Sequence, residues 1–199
     1  PRVVRYVDTF QETRLSTVLI MEYFGADTLW HQHQECELRR DEVLVLQQSL
    51  NALVYLHEAD VTHQDLKPLN ILLRSRNPID VALADFGWAR ESAESMSTVY
   101  AGTVHYRAPE VLAHARYRSL VDIWSLGVVG LEHLQELPNE EHSSTEADYA
   151  LSISVYAEFL AIYDPSHTHR RLLSQMLREK PAERLTAVEC LKAVSDLIA

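Results

Sequence analysis

The sequence predicts an α+β fold that is mainly α-helical and carries short β hairpins. Apolar and β-branched residues form short segments near the N-terminus and again around residues 71–84, as strands require. Apolar residues recur at helical spacing in five longer stretches, namely 41–57, 117–137, 149–163, 170–177 and 186–198. A chain of 199 residues with 47% hydrophobic content buries a sizeable core, so we expect one domain or most of one.

The N-terminal segment predicts a two-stranded hairpin followed by a short helix. Residues 2–10 alternate loosely and residues 15–24 are apolar and β-branched, with a polar turn at 11–14 between them. The helix candidate, 29–37, contains the potential metal ligands His31, His33 and Cys36. We expect a solvated face there rather than a metal site, because residues two apart diverge on a helix and no fourth ligand is near.

The middle of the chain predicts one long helix and a second pair of strands. The helix, 41–57, packs on the core and delivers the chain to a polar loop. Residues 71–73 and 81–84 are apolar runs of strand length, and the polar segment 74–78 between them predicts a turn. Residues 88–101 become small and polar, which predicts a mobile loop.

The C-terminal half predicts buried helices joined by polar loops. Residues 117–137 are apolar nearly all round, which indicates a core helix, and 138–146 form an acidic loop. Thr186 precedes the last helix and Glu189 follows three residues later, which is the capping-box pattern. We therefore expect Thr186 to be the N-cap of that helix.

Composition excludes several classes of function. A net charge of −11 argues against nucleic acid as the main partner, because phosphate binding requires a basic face. The longest apolar run, 123–131, is too short to span a bilayer, and no signal peptide is visible. Two cysteines, Cys36 and Cys190, are too few for a disulfide framework and fit a reducing, intracellular compartment. The sequence predicts no particular oligomeric state.

The stretch 63–110 carries the residue types of phosphoryl-transfer chemistry. Asp65 and Asn70 lie five residues apart on one loop, because Pro68 between them removes an N–H group and fixes φ. Asp85 ends the second apolar run and precedes a Phe-Gly pair. A carboxylate at a strand end, beside a glycine that lets the backbone turn, suits a hard ion such as Mg²⁺. The loop would aim Asp65 at an incoming hydroxyl while the Asn70 oxygen reaches the metal.

These motifs, in this order, resemble the C-terminal lobe of a eukaryotic protein kinase. The matching signatures are His63-Gln64-Asp65-Leu66-Lys67-Pro68-Leu69-Asn70, Asp85-Phe86-Gly87 and Ala108-Pro109-Glu110. The resemblance covers essentially all 199 residues and implies a protein-kinase-like fold whose N-lobe is truncated. Residues 1–24 would be the remaining N-lobe strands and hinge, and residues 25–199 would be the mainly α-helical C-lobe.

The resemblance implies ATP and Mg²⁺ as cofactors and a protein with a Ser or Thr acceptor as the substrate. Asp65 would accept or orient the hydroxyl proton, Lys67 would offset charge on the γ-phosphoryl group, and Thr103 would brace both. Asn70 and Asp85 would hold Mg²⁺. Lys67 and the Gly-Thr pair ending at Thr103 match the serine/threonine type rather than the tyrosine type.

The nucleotide site that the resemblance implies begins at the hinge. Met21 would be the gatekeeper behind the adenine, and backbone groups of Glu22 and Phe24 would pair with the adenine edge. Asp27 would meet the ribose, and Leu72 would form the floor under the adenine.

Two structural contacts are also expected. Asp122 lies in an otherwise apolar helix, and a buried carboxylate needs partners. The corresponding kinase residue hydrogen-bonds the backbone of the catalytic loop, which here lies around His63. The resemblance further implies a buried ion pair between Glu110 and Arg184.

Departures from the kinase pattern limit this interpretation. Gln64 replaces an arginine that grips a phosphorylated activation loop in many kinases, so we expect weak or no switching by phosphorylation of Ser95, Ser97 or Thr98. Gly25 is the first glycine and Lys67 the first lysine, so the glycine-rich phosphate loop and the strand lysine are missing, as is a recognisable helix Glu to pair with that lysine. We therefore expect weak ATP binding and slow or no phosphate transfer by this polypeptide.

Three interpretations stay open. A serine/threonine kinase whose missing parts lie upstream in a longer chain is favoured by Asp65, Lys67, Asn70 and Asp85, which a scaffold does not need. A pseudokinase acting as a binding module is favoured by the missing lysine and glycine loop only if Pro1 lies near the true start of the protein. A small-molecule phosphotransferase of kinase-like fold ranks last, because it would not combine Ala-Pro-Glu, the helix motif at 122–127 and Arg184.

Overall fold

The structure is a computed structural model that describes residues 2–13, 15–25, 27–32, 42–91, 102–115, 117–164 and 168–198. Within these residues, six strands form three two-stranded antiparallel sheets: β1 (Tyr6–Gln11) with β2 (Thr17–Met21), β3 (Val61–Thr62) with β6 (Arg90–Glu91), and β4 (Ile71–Arg76) with β5 (Ile79–Leu83). The described helices are α1 (Leu29–Gln32), α2 (Glu42–Glu58), α3 (Pro109–Leu112), α4 (Leu120–His133), α5 (Glu146–Tyr163), α6 (Thr168–Met176) and α7 (Ala187–Ile198). The predicted α+β class is confirmed.

The predicted N-terminal hairpin is present, although its second strand is shorter than expected. β1 and β2 pair from Tyr6 opposite Met21 onward, with a bulge after Tyr6. β2 begins at Thr17 because the carbonyl of Ser16 accepts the N–H groups of Glu12 and Thr13, at 3.0 and 3.3 Å, and so closes the turn. Leu15 was expected in the strand but lies fully exposed in that turn.

The segment 74–78 was predicted to be a turn, and this prediction is wrong for its first three residues. β4 continues to Arg76, and only the two residues before β5 form the turn. Residues 74–76 form part of the strand despite their polar composition. Arg74 and Arg76 lie on its exposed side, where they pair with the carboxylates of Glu22 and Asp27. A contact so distant in sequence leaves no local signal.

The core is built around α4, which is buried along nearly its whole length. α4 packs against α2 and α6. Two glycines allow the approach of α6: a Cβ atom on Gly130 would lie 2.6 Å from a methyl carbon of Leu173, and one on Gly127 would lie 2.9 Å from Cγ of Leu177. The all-round apolar pattern of this segment therefore reflects a helix enclosed by other helices.

The last helix, α7, has the predicted capping box. The N–H group of Glu189 donates to Oγ1 of Thr186 at 3.3 Å, and Oε2 of Glu189 accepts the N–H group of Thr186 at 2.8 Å. Hydrogen bonds donated to the Glu189 carboxylate by the backbone N–H group and then by the hydroxyl of Thr186 hold its pKa below the ordinary value. Cys190, one turn into the helix, is buried and reduced, and burial raises its thiol pKa to about 12.

Helix α5 has apolar side chains on two opposite faces. Its inner face is buried, whereas its outer face presents five large apolar side chains that are 46–78% exposed: Leu151, Val155, Phe159, Ile162 and Tyr163. The rings of Phe159 and Tyr163 stack with centroids 5.3 Å apart. We call these five residues the outer face of α5.

Several expectations lie outside the described residues. The predicted helix 29–37 is described only as α1, and His33 and Cys36 fall beyond it. The predicted mobile loop is described only as far as Glu91, so Ser95, Ser97 and Thr98 are not covered. Among the described residues, no helix combines the length and apolar character needed to cross a bilayer.

Candidate active site

The loop that joins β3 to β4 carries the candidate catalytic residues. A 3₁₀ turn, Pro68–Asn70, ends this loop, with the proline at its first position, where its missing N–H group is not needed. The side-chain nitrogen of Asn70 donates to the backbone oxygen of Asp65 at 2.7 Å and to its carboxylate Oδ2 at 3.2 Å. The loop therefore folds back on itself and brings Asp65 and Asn70 into direct contact.

Asp65, Lys67 and Thr103 form one hydrogen-bonded cluster. The backbone N–H and the hydroxyl of Thr103 both donate to Oδ1 of Asp65, at 2.8 and 2.9 Å. The ammonium group of Lys67 donates to Oδ2 of Asp65 and to the Thr103 hydroxyl oxygen, both at 2.8 Å. Asp65 is buried, and these donors, together with the Asn70 amide, fix the direction of its carboxylate.

The carboxylate of Asp122 holds the backbone of the catalytic loop, as expected. Its two carboxylate oxygens accept the backbone N–H groups of His63 and Gln64, each at 2.9 Å. Gln64 has a left-handed backbone, with φ +69°, which is costly for a residue that has a Cβ atom. Nε2 of His57 also lies 2.9 Å from Oδ2 of Asp122. Asp122 therefore fixes an unfavourable backbone conformation immediately before Asp65.

Asp85 lies next to this loop through backbone contacts. The N–H group of Ala84 donates to the carbonyl of Asn70 at 2.9 Å, and Nε2 of His63 bonds the carbonyl of Ala84 at 2.9 Å. Asp85 itself has φ +61°, so the chain turns sharply there, and Oδ1 accepts the N–H group of Gly87 at 3.3 Å. The end of β5 and the end of the catalytic loop are therefore adjacent.

The two candidate metal ligands have the oxygen atoms that Mg²⁺ prefers. The Asn70 side chain uses its nitrogen for Asp65, so its amide oxygen is the group directed elsewhere. The Asp85 carboxylate is exposed and has no ion-pair partner among the described residues. One amide oxygen and one carboxylate fit a hard cation that keeps part of its water shell.

The hinge residues Met21, Glu22 and Phe24 lie at the end of β2. Met21 is the last residue of that strand and is half exposed. The N–H group of Glu22 donates to the carbonyl of Arg5 at 2.9 Å, so a ligand contact at Glu22 would use its carbonyl oxygen. Hydrogen bonds from the Arg5 backbone and then from the Arg74 guanidinium lower the pKa of the Glu22 carboxyl. Arg74 also lies over the Phe24 ring, 5.0 Å from its centroid.

The remaining two nucleotide-site candidates flank β4. Leu72 is half-buried, pairs with Ala82 in the sheet and forms a single bridge with Thr28. Asp27, expected to meet a ribose, instead forms a two-point ion pair with Arg76, at 2.7 and 3.0 Å. A ribose hydroxyl would share or replace this contact. No local sequence feature indicates this partner, because the two residues are far apart along the chain.

The segment after residue 101 is held against the catalytic loop at close range. Gly102 has φ +85°, and a Cβ atom there would lie 2.4 Å from the carbonyl oxygen of Gln64, so only glycine fits. The hydroxyl of Tyr106 donates to Oε2 of Glu132 at 2.6 Å. Burial raises the pKa of Glu132, although this hydrogen bond acts in the opposite direction. The guanidinium of Arg107 donates to the carbonyl of Gly102 at 2.6 and 3.0 Å.

The predicted pair of Glu110 and Arg184 is present and buried. Two parallel hydrogen bonds of 2.6 and 2.7 Å join the guanidinium to the carboxylate. The Arg184 guanidinium also donates to the carbonyls of Arg178, Glu179 and Leu120. The pair thus connects α3, the start of α4 and the segment before α7.

Sequence reasoning missed two contributors to this site. It treated helix α2 as purely structural, although His57 near its end contacts Asp122. It also gave Arg107 no role, although this side chain fixes the turn at Gly102. The only sequence feature that could have indicated these roles is the position of His57 and Arg107 close to the candidate motifs along the chain.

Comparisons with known proteins identify the family of this chain. The sequence matches the family described as "Protein kinase domain" over residues 1–194. Aurora kinase C of Mus musculus is 32% identical over 186 residues, which is 92% of this chain and 65% of the mouse protein. Aurora kinase A-A of Xenopus laevis is 32% identical over 189 residues, which is 93% of this chain and 45% of the frog protein. The chain thus spans less than two thirds of the length of these curated relatives.

A solved structure shows the same fold. A chain in the CAK complex from Chaetomium thermophilum bound to ATP-γ-S superposes with a TM-score of 0.78 and 25% sequence identity, covering 96% of this chain and 70% of that one. The expected protein-kinase-like fold is therefore confirmed. Together with the family match and the arrangement of motifs described above, this shows that the chain belongs to the protein kinase family.

Proposed function

We propose that this chain carries the catalytic residues of a protein kinase that transfers the γ-phosphoryl group of ATP to a Ser or Thr hydroxyl of a protein. The observation that carries the proposal is the cluster of Asp65, Lys67 and Thr103, in which one carboxylate is fixed by donors from two segments. Relatives named as serine/threonine-protein kinases support the acceptor type.

Each residue in the cluster has a defined task. Asp65 accepts or orients the proton of the acceptor hydroxyl, and its fixed direction reduces the reorganisation needed during transfer. Lys67, which reaches both other members, places a positive charge beside the phosphoryl group as it moves. Thr103 holds Asp65 and Lys67 at a fixed separation through its hydrogen bonds with both side chains.

ATP and Mg²⁺ are the proposed cofactors. The CAK chain of similar fold belongs to a complex bound to ATP-γ-S, which supports a nucleotide in the same cleft. Mg²⁺ held by Asn70 and Asp85 would neutralise phosphate charge. Met21, Glu22, Phe24 and Leu72 would surround the adenine, and Asp27 would meet the ribose once it shares or leaves Arg76.

Transfer of radiolabelled phosphate from Mg²⁺-ATP to mixed Ser/Thr and Tyr peptide pools tests this proposal. We expect slow transfer by this chain, restricted to the Ser/Thr pool and abolished by Asp65→Asn. Asp60→Asn is the matched control, because Asp60 has φ +56°, a conformation that asparagine tolerates, and lies outside the cluster. Transfer that persists in Asp65→Asn would contradict the assigned role.

A binding module without catalysis is the second candidate function. The observation that favours it is the two-point ion pair of Asp27 with Arg76, which already occupies the side chain expected to meet a ribose. Thermal unfolding with and without Mg²⁺-ATP separates the candidates. Under the binding-module hypothesis, nucleotide leaves the midpoint unchanged. Under the kinase hypothesis we expect a small rise that Asp85→Asn removes, because ATP binding by this polypeptide is expected to be weak.

We further propose that phosphorylation of Ser95, Ser97 or Thr98 has little effect on activity. Gln64 is neutral and buried, and its Oε1 accepts the Tyr117 hydroxyl at 3.3 Å. A phosphate therefore gains no charge-assisted partner at this position. A large rate increase on loop phosphorylation, lost in Gln64→Ala, would contradict the proposal.

A further inference from the structure

A cavity lies on the side of the molecule where α2 ends and where α4 and α7 begin. Its volume is about 360 Å³, within the usual range for small-molecule sites. Its apolar walls are Val54 of α2, Leu120 of α4, and Ala187 and Val188 of α7. These four residues lie outside the candidate active site, and His57 is the lining residue that connects the cavity to it.

One wall of the cavity is connected to the catalytic loop by hydrogen bonds. His57 lines the cavity, and its Nε2 atom lies 2.9 Å from Oδ2 of Asp122. The same carboxylate holds the N–H groups of His63 and Gln64. A molecule that contacts the His57 ring is thus two hydrogen bonds away from the backbone that positions Asp65.

The charge around the cavity favours an anion. Arg118 lines it, is exposed, and its guanidinium has no hydrogen-bond or ion-pair partner among the described residues. Helices α4 and α7 also begin in this region, although Asp122 and Glu189 in their first turns already offset the positive ends of the two helices. Glu58 is the opposing charge, at the end of α2.

We propose that this cavity binds a small amphipathic carboxylate, whose apolar part lies against the aliphatic walls and whose carboxylate meets Arg118. Occupancy is transmitted through His57 and Asp122 to the catalytic loop. The binding step does not depend on the proposed kinase activity, whereas its regulatory meaning does. The tests below therefore measure binding and loop dynamics rather than phosphate transfer.

The binding step is tested by calorimetry with three probes that differ only in their polar group: 4-phenylbutyrate, 4-phenylbutanol and 4-phenylbutylamine. We expect the carboxylate to bind about fivefold more tightly than the alcohol, as one exposed charge contact allows, and the amine to bind most weakly. Arg118→Ala should remove the advantage of the carboxylate. Arg171→Ala, an exposed arginine outside the cavity, should retain it.

A variant that fills the cavity completes this test. Ala187→Leu should abolish binding of all three probes, with far-ultraviolet circular dichroism used to confirm that the variant is folded. The proposal is overturned if the amine binds as tightly as the carboxylate, if Arg118→Ala changes nothing, or if no probe shows saturable binding at millimolar concentration.

The transmission step is tested by amide hydrogen exchange at His63 and Gln64. We expect saturating 4-phenylbutyrate to change protection at these two amides but not at the amide of Leu160 in α5, which is remote from the cavity. His57→Leu should abolish this change, and His57→Gln, which retains a hydrogen-bond donor, should restore part of it. Binding that leaves both loop amides unchanged in the unmodified protein overturns this step.

Discussion

Two arginine–carboxylate pairs in this molecule have nearly the same geometry and opposite surroundings. Arg184 meets Glu110 at 2.6 and 2.7 Å, and Arg76 meets Asp27 at 2.7 and 3.0 Å. The side chains of the first pair are 0% and 6% exposed, whereas those of the second are 50% and 28% exposed. The contact distances alone would indicate that the two pairs contribute equally to stability.

The surroundings decide what each pair contributes. Arg184 also donates to three backbone carbonyls and lies over the ring of Trp124, 5.1 Å from its centroid, so its loss leaves several buried groups unsatisfied. Arg76 faces solvent, and water replaces its partner at little cost. The buried pair therefore stabilises the helical lobe, and the exposed pair mainly orients the segment after the hinge.

The largest expected effect tests the buried pair. Arg184→Met should lower the free energy of unfolding by about 3–5 kcal/mol, because it leaves the Glu110 carboxylate buried without a counter-charge. Urea denaturation measures the change. Arg178→Met, which removes an exposed partner of Glu158, is the matched control and should cost less than about 1 kcal/mol. An equal loss of unfolding free energy in the two variants would show that burial does not determine what such a pair contributes.

Asp122 provides the next largest effect, because it is a buried carboxylate paired with N–H groups rather than with a guanidinium. Asp122→Ala leaves the amides of His63 and Gln64 without acceptors, which should cost about 2–4 kcal/mol. Hydrogen exchange should also become faster at these two amides. A stable variant with unchanged exchange would show that the loop does not depend on Asp122.

A third prediction concerns a buried carboxylate with an unpaired oxygen. Burial, with a contribution from nearby Glu136, raises the pKa of Glu42 from 4.5 to about 8, and its Oε1 has no hydrogen-bond partner among the residues that the structure describes. The folded state therefore holds a proton that the unfolded state loses between these values, so stability falls as the pH rises through this window.

Glu42→Gln removes this titration and isolates its contribution. The variant should match the unmodified protein near pH 4.5 and be more stable by about 2 kcal/mol at pH 8, less than the full 1.36 kcal/mol per pKa unit because local relaxation admits water. Denaturation midpoints across this pH range provide the measurement. A constant difference between the two proteins would contradict the assignment.

The smallest effect belongs to the exposed pair. Arg76→Ala should change the free energy of unfolding by about 0–1 kcal/mol, and added salt should reduce even this difference. Urea denaturation at low and high salt measures it. A loss as large as that of Arg184→Met would show that the Asp27 pair supports the fold.

The sequence was most informative where a motif dictates both partners. The contacts of Asp122 with the loop backbone and of Glu110 with Arg184 followed from the kinase resemblance, and the capping box followed from spacing alone. The bracing of Asp65 by Thr103 has the expected form as well. In each case the residue types leave few alternative partners.

Prediction failed where a contact depends on residues distant in sequence. The end of β4 was misplaced because Arg74 and Arg76 resemble turn residues until their acidic partners are known. His57 was assigned to an ordinary helix end, since helical periodicity does not show that a neighbouring helix presents a carboxylate. The metal and nucleotide roles of individual residues remain predictions that the experiments above address.

Because the outer face of α5 is apolar and exposed, we expect any interaction between copies of this chain to depend on ionic strength. The net charge of −11 keeps molecules apart in dilute buffer. The Debye length falls from about 30 Å at 0.01 M salt to about 3 Å at 1 M, so salt removes this repulsion without weakening apolar contacts. Light scattering should therefore show a second virial coefficient that turns from positive to negative as salt is added, and purification would best be kept at low salt.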